Sequence, residues 1–186
     1  MSGLVTLLLA WASIPAHAVE LTGNLTQGGL AIGHAMPGAK VLLGDAPVLV
    51  GADGLFVIGF GRDQAPHAQL TIIAPDGKVE QQALDIAQRQ FDIQRINNMD
   101  QTKVTPDPAN LARIKAEQDQ VNATRANPSD LRDFLVPFIW PARGPISGVY
   151  GSQRILNGTP KAPHFGTDIA APEGSSIVAP AAGEVR

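Results

Sequence analysis

Gln69-Leu70-Thr71-Ile72-Ile73-Ala74-Pro75-Asp76-Gly77 is a run of strand-forming side chains that stops at a proline and a turn-forming Asp-Gly pair. Such a run reads as a β-strand entering a hairpin. The grammar repeats upstream in Ala39-Lys40-Val41-Leu42-Leu43 and in Leu55-Phe56-Val57-Ile58, the latter preceded by Asp53-Gly54. Further on, Gln90-Phe91-Asp92-Ile93-Gln94-Arg95-Ile96 alternates polar and apolar residues, as a half-buried strand should. Short strands at this even spacing predict a mainly β fold, with residues 19–98 as a small β-sandwich.

The pattern changes at Thr105-Pro106-Asp107-Pro108. Asp107 is a helix cap and Pro108 suits the first turn, where its missing N–H costs nothing. Leu111, Ile114 and Val121 then form a narrow apolar stripe until Asn127-Pro128 stops the run. Residues 99–137 are therefore expected to be a linker carrying a helix over 108–126, its stripe lying on a neighbour. Beyond it, Ile146-Ser147-Gly148-Val149-Tyr150 and Ser176-Ile177-Val178-Ala179 are the predicted strands of a third segment, 138–186.

Composition narrows the function. Fourteen Lys plus Arg against seventeen Asp plus Glu give a net charge of −3 without long charge runs, so nucleic acid is not an expected partner. The sequence has no cysteine, which excludes disulfides and thiolate metal sites. Residues 1–18 read as a secretory signal peptide: the apolar stretch 4–14 is too short to span a bilayer, and Ala16-His17-Ala18 is a small-x-small cleavage site before Val19. Met1-Ser2-Gly3 departs from that pattern in lacking Lys or Arg. The expected address is the periplasm or cell envelope, with no transmembrane segment after cleavage.

His164-Phe165-Gly166-Thr167-Asp168 places an imidazole and a carboxylate four residues apart around a glycine. Both are zinc-ligand types. A straight strand would hold them about 13 Å apart, and Pro163, Gly166 and Pro172 oppose a helix. The chain must bend, and Gly166 is the residue expected to bend it, since glycine tolerates φ > 0. Taken alone, the same five residues also suit a loop with a surface histidine and a turn-forming aspartate. The other histidines, His17, His34 and His67, are expected to be leader or solvated loop residues without a second ligand beside them.

The flanks extend the pattern. Upstream lies Phe138-Ile139-Trp140-Pro141-Ala142-Arg143-Gly144-Pro145-Ile146-Ser147-Gly148-Val149-Tyr150-Gly151-Ser152-Gln153-Arg154; downstream, Ile169-Ala170-Ala171-Pro172-Glu173-Gly174 leads to Val178-Ala179 and Gly183-Glu184-Val185. This order resembles the LytM/lysostaphin-type zinc metallo-endopeptidases, which cut peptide cross-links of peptidoglycan. The resemblance implies an antiparallel β peptidase domain with a groove, Zn2+ as cofactor, peptidoglycan stem peptides as partners, and His164 and Asp168 as the first two metal ligands. In that family a later H-x-H element supplies the third ligand and a catalytic histidine, and a further histidine precedes it. The sequence to Arg186 holds no such element, so the expectation is a truncated peptidase domain with no catalytic residue of its own. Tyr150 and Arg154 are candidate substrate-binding residues of the groove, a structural role being the alternative for each. The architecture expected for residues 19–98 is similar to transthyretin-like or immunoglobulin-like modules that often precede peptidase domains.

Two other functions are open to the same sequence. One is a non-catalytic cell-wall binding protein or activator on a degenerate peptidase scaffold, against which the retained His164 and Asp168 argue. The other is a carbohydrate- or peptide-binding module centred on the sandwich, for which the sequence shows no exposed aromatic row.

Overall fold

The computed structural model describes residues 19–100, 104–127, 129 and 131–185. The expected signal peptide, with His17, lies outside the described residues. The fold is mainly β, and it divides into two compact units, residues 1–88 and 89–186. That division falls ten residues before the boundary read from the sequence.

In the first unit, β1 (Leu21–Gly23), β2 (Leu30–His34) and β5 (Leu55–Gly59) form one antiparallel sheet in the order β1-β2-β5. β3 (Lys40–Leu43), β4 (Ala46–Val48), β6 (His67–Ile73) and β7 (Val79–Asp85) form a second, in the order β4-β3-β6-β7. Period-two alternation gives each sheet one apolar face. Phe56 and Ile58 of the first join Val41, Leu70, Ile72 and Leu84 of the second in a single buried cluster. The chain reverses between β6 and β7 at Asp76-Gly77, where Gly77 takes φ +84° and the Asp76 carboxylate accepts the Lys78 N–H at 3.1 Å.

In the second unit, β8 (Ile93–Ile96) pairs in parallel with β10 (Gln153–Leu156), and β10 pairs antiparallel with β11 (Thr159–Pro160). Residues 90–96 read as a strand of the sandwich, half buried. The strand that forms is shorter, exposed along its whole length, and joined to β10. Alternation marks a strand without naming its partner, and a parallel partner reached through a long connection leaves no local signal.

Helix α1 (Pro108–Arg125) starts from Asp107, whose carboxylate accepts the Asn110 N–H at 2.9 Å. It carries no buried residue, and Leu111, Ile114 and Val121 are between 41 and 48% exposed, so the stripe expected to lie on a neighbour does not. Ion pairs Lys115–Asp119 (2.8 Å) and Arg113–Glu117 (3.7 Å) line its surface. Among the described residues no helix is long and apolar enough to cross a membrane.

β9 (Ile146–Gly148) pairs antiparallel with β12 (Asp168–Ile169). The strand predicted over residues 176–179 does not form. Its chain does run beside residues 139–141: the Ile139 N–H donates to Pro180 O and the Val178 N–H to Pro141 O, both at 2.9 Å. The donors that would return those bonds belong to Pro180 and Pro141, which have no N–H, so a ladder cannot close.

Candidate metal centre

His164 and Asp168 are set by one stretch of chain, residues 145–152. The His164 N–H donates to Ser152 O at 2.8 Å, and its carbonyl accepts the Gly151 N–H at 2.7 Å. Asp168 begins β12 directly opposite Gly148, and the Ala170 N–H donates to Pro145 O at 2.9 Å. With both ends held against 145–152, the four-residue interval must fold back on itself. It bends at Gly166, which nevertheless keeps a φ outside the left-handed region, contrary to the expected use of glycine there. A Cβ at that position would meet only His164 Cε1, at 3.7 Å.

The bend brings the two side chains together, with His164 Nε2 3.3 Å from Asp168 Oδ1. The imidazole is one-third exposed and the carboxylate about 61%. Despite that proximity, Nε2 is buried and without a hydrogen-bond partner, because the carboxylate lies off the direction a ring N–H would need. Orphaned buried nitrogens are uncommon and call for an explanation. Two donors each about 2.0–2.1 Å from a tetrahedral ion lie about 3.3 Å apart, so the pair has the spacing of two ligands on one zinc. Among the described residues no group of three or more His, Asp and Glu side chains is gathered to hold a metal.

A cavity of about 530 Å³ opens beside the pair, lined by Asp92, Gln94, Arg154 and Lys161 as well as His164 and Asp168. Lys161 is engaged, its ammonium donating to the buried Val104 carbonyl. Arg154 lines this cavity, whereas Tyr150 is not among its lining residues. Tyr150 instead stands between Phe91 and Phe165 in edge-to-face contacts, with ring centroids 6.3 and 6.2 Å away, and the Arg89 guanidinium lies 5.0 Å from the Phe91 centroid. Phe165 is 66% exposed. Sequence reading missed this aromatic row because its members come from positions 91, 150 and 165. It also missed the hairpin at Asn157-Gly158, although Asn-Gly is a strong two-residue turn signal and both residues take positive φ.

The remaining described histidines are on strands, not loops. His34 ends β2. His67 opens β6 opposite Asp85, and its Nδ1 lies 2.9 Å from Asp85 Oδ1 in an exposed cross-strand hydrogen bond, so it does have an acidic neighbour.

The chain matches no family model, and no curated protein gives a significant match to it.

Proposed function

We propose that the chain carries part of the site of an exported zinc metallo-endopeptidase acting on peptidoglycan stem-peptide cross-links. The observation that carries this reading is the orphaned His164 Nε2 held 3.3 Å from Asp168 Oδ1. The order of residues from Phe138 to Val185 supports it. Bound zinc supplies Lewis-acid polarisation of the scissile carbonyl and lowers the pKa of the attacking water.

The chain's own residues hold and orient. His164 and Asp168 are the two ligands, fixed through the backbone of residues 145–152. The adjacent cavity receives the peptide, and Arg154, which lines it, is the candidate substrate-binding residue there. In this reading the third ligand and one catalytic histidine come from an H-x-H element, and a second catalytic histidine from just before it, neither of which lies within this sequence. Reading the gene past codon 186 tests the proposal: an in-frame H-x-H supports the peptidase, and its absence favours a non-catalytic wall-binding protein. In a protein that contains the element, His164→Ala and Asp168→Ala are each expected to abolish release of cross-link fragments from purified peptidoglycan. Full hydrolysis by the double variant would remove both residues from the site.

A further inference from the structure

The Asp168 carboxylate occupies the space that a side chain at position 148 would fill. Asp168 faces Gly148 across the β9–β12 pair, and a Cβ built on Gly148 would overlap Asp168 Oδ2 and lie 3.0 Å from its Cγ and 3.2 Å from its Cβ. The register then shifts, Ile169 facing Ile146, which leaves Ser147 as an extra residue in β9. A bulge of this kind bends its strand and re-aims neighbouring side chains. The φ of Gly148 lies outside the left-handed region, so the backbone makes no demand for glycine here. Glycine within a strand weakens it, and a common reason for tolerating one is the close approach of another group. At Gly148 that group is the carboxylate.

We infer that Gly148 is a positioning residue for Asp168: the missing Cβ lets the carboxylate lie against β9, with Oδ1 turned to His164 Nε2. This rests on the reading of His164 and Asp168 as zinc ligands. Any side chain at 148 pushes the carboxylate outward and separates the two donors. Outer residues that orient metal ligands commonly govern affinity at the level of 10- to 100-fold.

The test is a double-mutant cycle in the 186-residue chain with Gly148→Ala, Asp168→Ala and the pair. Zn2+ is titrated in, and binding is followed through the His164 ring signals by NMR. Gly148→Ala is expected to weaken binding about 10- to 100-fold, and to have no further effect once Asp168 is alanine. Wild-type binding by Gly148→Ala, or an equal loss in both backgrounds, would overturn the inference. Thermal unfolding without metal supplies a second arm. Gly148→Ala is expected to lower the transition temperature, and adding Asp168→Ala to recover most of the loss, because the collision leaves with the carboxylate. Failure of that rescue would overturn the positioning role itself. If rescue occurs but Asp168→Ala leaves Zn2+ binding unchanged, the zinc reading fails, and the metal role of Gly148 with it.

Discussion

His164 and His67 each have an aspartate carboxylate within reach, and their surroundings give the two pairs different meanings. His67 and Asp85 are 81 and 93% exposed and already hydrogen-bonded, an arrangement worth little in water. His164 Nε2 is shielded from solvent and makes no hydrogen bond, although the Asp168 carboxylate stands 3.3 Å away. The core of the first unit offers a plainer test of a single residue. Phe56 is 1% exposed, and its ring lies against Gly33, where a Cβ would collide with it. Phe56→Ala should therefore destabilise the first unit by about 3–5 kcal/mol in denaturant unfolding, the usual loss for a buried aromatic; a change below about 1 kcal/mol would show that the cluster does not depend on it. His164 and Asp168 were legible because a short motif states its own spacing. Gly148 was not, since its partner is twenty residues away in sequence and the reason for a glycine exists only once β9 and β12 pair.

Local signals located the elements better than their partners. Asp107-Pro108 marks the start of α1 because capping needs only residues within one turn. Hydrogen bonding from the Asn110 N–H holds the Asp107 carboxyl below its ordinary value, with the Asn110 side chain adding to it. A carboxylate depressed in the folded state stabilises the fold above its unfolded pKa, and that stabilisation is lost as pH falls through the folded pKa. Helical circular dichroism from α1 should accordingly fall as the pH drops below about 4. Asp107→Ala should have less helix at neutral pH and lack this acid step; an identical acid profile in the variant would refute the cap. The partners of β8 and of residues 176–179 were hidden for different reasons. A parallel ladder depends on a long connection, whereas two prolines deny the second segment its returning bonds.

At the scale of the molecule, every member of the main buried cluster lies between residues 31 and 86, so the first unit contains its own core. Residues 19–88 expressed alone should unfold in one cooperative transition; a fragment without a thermal transition would show that the unit depends on the rest of the chain. The proposed export makes a separate demand. Mass spectrometry of the protein recovered from the cell envelope is expected to find Val19 at the N-terminus, and an intact Met1 on cytoplasmic protein would contradict the leader. The most direct measurement is a Zn2+ titration of the 186-residue chain, read by NMR at the four histidine rings. Saturable, weak binding should move the His164 ring signals, and both His164→Ala and Asp168→Ala should abolish that site while leaving the His34 and His67 signals as they are. A His164 ring that excess Zn2+ leaves in place, or that responds equally when Asp168 is alanine, would contradict a metal centre at this bend.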